Sequence, residues 1–200
     1  MQSKPYHHGQ LRQAVIDAAV AEVEAVGAAA ISMREIARRA GVSHAAPAHH
    51  FGDKTGIFTA IATQGFWMTE AAIRPASTGP FGFLTGGGAY VQFALSHPGY
   101  FEVMYRPHLY RVDDPELVAA RSAAFAVLDD SAAELAAAWN IADVAGLTIA
   151  GWSMSHGLAN LLLEGNLAGR VPTDRDQLTS LLLAGVASLG HVAGQLNAEQ

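Results

Sequence analysis

Nine histidines and no cysteine set the chemical options of this 200-residue chain. Without cysteine, thiol nucleophiles, disulfides and zinc-thiolate centres are excluded. Histidines with carboxylates could build a metal hydrolase, but His7-His8 and His49-His50 are adjacent pairs that point to different helix faces, and no HExxH set occurs. No GxSxG turn presents a serine nucleophile. The glycines ending at Gly88 lack the following lysine and the preceding strand of a phosphate-binding loop. The expectation is a protein without catalytic residues, metal or cofactor.

The cationic and hydroxyl side chains of the N-terminal end are a different matter. The formal net charge of −6 is unevenly spread. Residues 1–60 carry Lys4, Arg12, Arg34, Arg38, Arg39 and Lys54 against Asp17, Glu22, Glu24, Glu35 and Asp53, a formal +1, and five of the nine histidines lie there. The other 140 residues hold six basic and thirteen acidic side chains, a formal −7. A polyanion would therefore meet the N-terminal end first.

The elements that would position these groups can be read from spacing. Leu11, Val15, Ala19, Val23 and Val26 recur at helical intervals and Gly27 follows as a C-terminal cap, which gives helix one. Ser32-Met33-Arg34-Glu35 is a capping box that starts helix two. Met33, Ile36, Ala37 and Ala40 form its apolar stripe, and Gly41 stops it after about two turns. Ser43 can cap a third helix, His44 to His50, with almost no apolar bulk until Phe51. Pro47 is tolerable in its first turn, where backbone amides lack acceptors. Asp53-Lys54 then caps a fourth helix whose Ile57, Phe58 and Ile61 restore the apolar pattern. Two short helices about a glycine-containing turn, the second with small polar side chains, have the layout of a helix-turn-helix or of an ordinary helical hairpin.

The run from Ser32 through Arg34 and Ile36 to Gly41 and Ser43, followed by His49-His50-Phe51 and Asp53-Lys54, resembles the DNA-binding segment of the TetR family. Tyr6-His7-His8-Gly9 with Leu11-Arg12, the run His97 to Phe101 with Met104, and Trp152, His156 and Gly157 resemble a subgroup whose C-terminal domain is named for a Trp, His and Gly. The resemblance implies an all-α protein with an N-terminal three-helix helix-turn-helix DNA-binding domain, residues 1–60. A C-terminal helical ligand-binding and dimerisation domain, residues 61–200, would follow. It implies that Ser32, Ser43, His49 and Lys54 meet phosphates, and that Arg34, His44, Ala45 and Ala46 lie near base edges. Hydroxyls and cations suit phosphate oxygens, an arginine fork suits guanine, and alanines offer only methyls. The family usually has tyrosine in the place of Ala48, so one aromatic hydroxyl to the DNA backbone is missing.

Pro75 to Gly88 reads as a mobile loop. Helical pieces are expected at 89–96 and 100–106, from Pro115 onward, at 141–163 and at 174–196, the last capped by Thr173 with Asp174 and Asp176 supporting the dipole. Leu147, Ile149, Trp152, Leu158, Leu161, Leu162 and Leu163 surround most of the helix at 141–163, so part of its surface should face a second subunit. Gly146, Ala150, Gly151, Gly185 and Gly190 would allow close approach, and the resemblance implies a homodimer through the last two helices. Phe66, Tyr90, Phe93, Met104, Tyr105, Phe125 and Trp152 suit an apolar effector cavity, with His108 and His156 as polar anchors. Core packing is the ordinary role of each, and a satisfied buried histidine that of the two anchors.

Val144 to Leu163 lacks charged residues, but Thr148, Ser153, Ser155, His156 and Asn160 make it a buried helix rather than a membrane span. The N-terminal residues lack a signal-peptide pattern, and a reducing cytoplasm suits the absent cysteine. The expected function is a DNA-binding regulator, a repressor released from a double-stranded operator by a small apolar ligand. The alternative is a helical small-molecule binding protein with weakened or lost DNA binding.

Overall fold

The computed structural model describes residues 8–171, 174, 176–182, 184, 185 and 188. Tyr6, His7, Thr173, Gly190 and the expected helical run to Leu196 lie outside the described residues. Every regular element among the described residues is helical, the all-α class that the resemblance implies. No described helix is long and apolar enough to cross a membrane. The chain forms two compact units, one from residues 1–67 and 97–122, the other from 68–96 and 123–200.

In the first unit, α1 (His8–Val26) buries Val15, Ile16, Ala19 and Val23. Gly27 ends it at φ +80° and donates its N–H to the Val23 carbonyl at 2.8 Å. Val26, counted in the predicted stripe, is instead exposed, because the last turn runs past the core. α2 (Met33–Ala40) begins where the Ser32 hydroxyl accepts from the Glu35 amide at 3.2 Å and ends at Gly41, φ +67°. The Glu35 carboxylate does not reach back to Ser32 but pairs with Arg38 one turn on, so only half of the capping box forms. α3 (Ala46–Phe51) starts later than expected: its N-cap is Ala45, without a side-chain cap. Ser43 serves through its backbone, its carbonyl accepting from the Ala46 amide at 3.0 Å in the preceding turn. α4 (Lys54–Ile73) is capped by Asp53, whose carboxylate accepts from the Gly56 amide at 2.8 Å.

α6 (Pro98–Met104) lies against α1. Glu24 accepts from the Gly99 amide at 3.2 Å, and Glu102 accepts from the Ala28 amide at 3.0 Å while pairing with Arg106 at 2.8 Å. The bare Cα of Gly99 permits this approach, since a Cβ there would stand 2.8 Å from the Glu24 side chain and 2.9 Å from Val20. Buried Glu22 is matched by Arg39 at 2.6 Å, tying α1 to α2.

In the second unit, the glycine-rich stretch corrects the expected loop. α5 spans Gly82–Ser96, and only residues 77–81 separate it from the short turn of helix at Arg74–Ala76. A Cβ on Gly86 would fall 2.2 Å from the Ser77 hydroxyl, and one on Gly88 would fall 2.1 Å from the Thr179 hydroxyl. These glycines serve close packing, not a turn. α7 (Pro115–Trp139) begins at the expected Pro115, where the Asp114 carboxylate accepts from the Glu116 and Leu117 amides.

α8 (Val144–Leu163) starts three residues after Ile141, because Asn140 turns the chain at φ +54° and Asp143 caps the helix on Gly146. Phe83, Ala132 and Leu135 form an apolar core with Leu84, Leu128 and Leu147. Gly146 and Gly151, expected to admit a second subunit, are used within the chain, under the Asp143 carboxylate and the Phe83 ring respectively. Residues 176–182, here α9, are helical and bury Leu178 and Leu182. The Asp174 carboxylate accepts from the Gln177 amide at 3.0 Å.

Candidate nucleic-acid interface and sensor cluster

α3 is amphipathic on a small scale. Pro47 and Phe51 are buried, and the Arg12 guanidinium stands 5.3 Å over the Phe51 ring. That anchorage leaves Ser43, His44, Ala45, Ala48 and His49 exposed, with Ala46 at the border. Arg34 and Ser32 are exposed on the first turn of α2, the Ser32 oxygen already serving the cap. Lys54 is folded back: its Nζ donates to the Ala29 carbonyl at 3.2 Å and lies 5.5 Å over the Phe58 ring. Hydroxyls, a guanidinium and imidazoles thus share one helix pair and its borders, with methyls between them, which is the chemical set that phosphates and base edges require.

One charged residue of this region escaped the sequence reading. Arg111, just before α7, places Nη2 2.9 Å from both carboxylate oxygens of Asp53. The Gly56 amide first, and Arg111 after it, hold the Asp53 carboxyl below the usual carboxylate range. No local pattern marks a pair 58 residues apart.

The aromatic set divides between the two units. Phe66 and Met104 are buried and Tyr105 half-buried in the first, where Tyr105 meets Phe66 at 6.0 Å and Phe101 at 5.1 Å between ring centres. His108 corrects the expectation of a buried anchor: it is exposed on the short helical turn Pro107–Leu109. In the second unit Tyr90 and Phe93 are buried, Phe125 packs edge-on against Trp152 at 5.3 Å, and Trp152 lies 5.8 Å from His156. The Tyr90 hydroxyl is 2.8 Å from His156 Nδ1. A crevice between Phe83, Gly87, Gly151, Met154 and Leu182 has room for about 10 Å³, the space of one water. None of the sequence-named ligand residues lines it. Among the described residues no group of three or more His, Asp or Glu could hold a metal.

Burial lowers the pKa of His156, since the imidazolium loses hydration there. On acidification the unfolded chain therefore binds this proton first, and stability present above the unfolded pKa of about 6.5 declines below it. The melting temperature should fall between pH 7.5 and pH 5.5 by a component that His156→Gln lacks. Parallel melting curves of wild type and variant would count against this assignment.

Residues 15–61 match the family model described as bacterial regulatory proteins, tetR family. Residues 83–186 match the tetracyclin repressor-like C-terminal domain. A protein of unknown function from Rhodococcus sp. RHA1 is 32% identical in sequence, with a TM-score of 0.74 over 91% of this chain and 96% of its own. A TetR-like transcriptional regulator from the same organism has the same fold at 20% identity, TM-score 0.61, over 88% of this chain and 96% of its own. So does a TetR family transcription regulator from Marinobacter aquaeolei VT8, at 18% identity, TM-score 0.63, over 87% and 94%. No curated protein sequence matches the chain.

Proposed function

This chain belongs to the TetR family of bacterial transcriptional regulators, and from that premise we propose that it is a repressor released from a double-stranded operator by a small apolar effector. The observation that carries the DNA half is α3, held from beneath by Pro47 and Phe51 with His44, Ala45 and His49 left outward. In this reading residues 1–60 form the DNA-binding domain. Ser32, Ser43, His49 and Lys54 take phosphates, and Arg34, His44, Ala45 and Ala46 face base edges, Arg34 reading guanine. Lys54 leaves Ala29 and Phe58 to do so.

Residues 61–200 form the sensing and dimerisation domain, with the homodimer made through α8 and α9, and the protein works in the cytoplasm with its operator. Tyr90, Phe93, Phe125, Trp152 and His156 supply apolar walls and one polar pair for the effector. Phe66, Met104 and Tyr105 supply adaptable bulk beside α6. A bound effector shifts DNA affinity only by its preference for one of two conformers.

Selection of duplexes from a random pool, followed by gel shift, tests the DNA half. Failure to enrich any sequence would end it and favour a helical small-molecule binder that has lost DNA binding, a reading for which Ala48 is the specific observation. Ala48 is exposed on α3, where the family's tyrosine would reach the DNA backbone. Ala48→Tyr should tighten binding to all sequences alike by about 1 kcal/mol. A changed sequence preference without a general gain would show that residue 48 faces bases.

A further inference from the structure

Resting on the DNA-binding reading, we infer that Arg111, outside the helix-turn-helix segment, is a positioning residue for DNA binding: it neutralises the Asp53 charge at the start of α4, beside Lys54. Three contacts converge on this guanidinium and its backbone. Nη2 bridges both Asp53 oxygens at 2.9 Å. The Arg111 amide donates to the Thr59 hydroxyl at 3.1 Å, and that hydroxyl donates in turn to the Thr55 carbonyl at 2.8 Å. Nη1 occupies the space that a side chain at Gly56 would fill, 3.0 Å from the position of its Cβ. The segment before α7 is thus fastened to the first two turns of α4 by backbone, side chain and shape.

The bridge does little for stability, because both partners are solvent-exposed, 46% for Arg111 and 60% for Asp53. Its effect lies in charge. Asp53 precedes Lys54, the residue assigned to a phosphate, and caps α4 through Gly56. An acceptor oxygen is needed there as a cap, but the charge of a carboxylate is repelled by DNA. Arg111 removes the conflict by cancelling the charge while leaving the capping oxygen in place. A fragment ending near residue 60 would lack this cation and carry Asp53 uncompensated.

The test uses full-length protein and the duplex that the wild type enriches from a random pool. Arg111→Gln should weaken binding about tenfold at low salt, alike for all sequences, with the deficit shrinking as salt screens the exposed carboxylate. Asp53→Asn, which keeps the cap but removes the charge, should restore the Arg111→Gln protein to within about twofold of wild type. A purely structural bridge gives no such rescue, because the double variant still lacks the guanidinium. Unchanged affinity in Arg111→Gln overturns the inference, as does a loss that Asp53→Asn fails to recover, and both outcomes leave the DNA-binding reading standing. A wild type that enriches no sequence removes both together.

Discussion

Gly56→Ala is expected to be the most damaging single methyl that can be added at a described glycine. Its Cβ would fall 2.0 Å from the carbonyl oxygen of Phe51 and 3.0 Å from the Arg111 guanidinium. The oxygen belongs to the backbone at the end of α3, so it cannot swing aside as a side chain would. Either α3 separates from α4 or the first turn of α4 unwinds, and each route displaces Phe51 from the core and the Asp53 cap from its amide. Overpacking of this kind costs about 3 kcal/mol, a fall in melting temperature on the order of 10 °C for a chain of this size. Operator binding should be lost even well below the new midpoint, because α3 is the element displaced. Thermal melting with gel shift on the same sample checks both. A melting temperature within a degree of wild type, or intact binding, would show that the α3–α4 junction is looser than its geometry.

Leu161→Asp should act on assembly rather than on the fold. Leu161 is 43% exposed and Ile149 58% exposed on α8, and Leu181 is exposed on α9. Among the described residues, no partner covers them to the extent their size favours. A charge placed against the same face of a second copy would be buried unpaired, a cost of about 3 kcal/mol or more, and two copies each contribute one. Sedimentation should report monomers at micromolar concentration, and specific DNA binding should go with the dimer, since two half-sites must be engaged jointly. Melting of the monomer should change little, because residue 161 is already at the surface. A variant that still sediments as a dimer would move the interface elsewhere, and a wild type that is monomeric would end the proposal.

What the sequence yields depends on how far apart the interacting residues lie. The Ser32 cap, the left-handed Gly41 and the Asp53 cap are each decided within four residues, and each is formed. Val15, Ala19 and Val23 of α1 and Ile36 and Ala37 of α2 follow from a single period, whereas Val26 of the same stripe is exposed. Errors begin where the reason for a residue sits in another element. Gly86 and Gly88 look like loop glycines until Ser77 and Thr179 are brought against them. Ser43 is a local exception: it looks like a cap, but the turn before α3 uses its carbonyl, three residues from Ala46.

The aromatic set looks like one cluster because composition carries no information about which rings share a unit. Phe66 and Tyr105 fall in one and Tyr90 and Trp152 in the other. His108 is a polar residue in an aromatic neighbourhood by sequence and an exposed one by position. Arg111 could not be found at all, because a bridge to Asp53 leaves no periodicity.

The glycines of α5 also bear on how the chain emerges from a ribosome. Three consecutive glycines in a helix each cost about 1 kcal/mol relative to alanine, so the segment Gly86–Gly88 has little tendency to coil alone. Its distant partner Thr179 is synthesised roughly ninety residues later. During translation the segment cannot pack against Thr179 until that residue has emerged, whereas the N-terminal caps are decided within four residues.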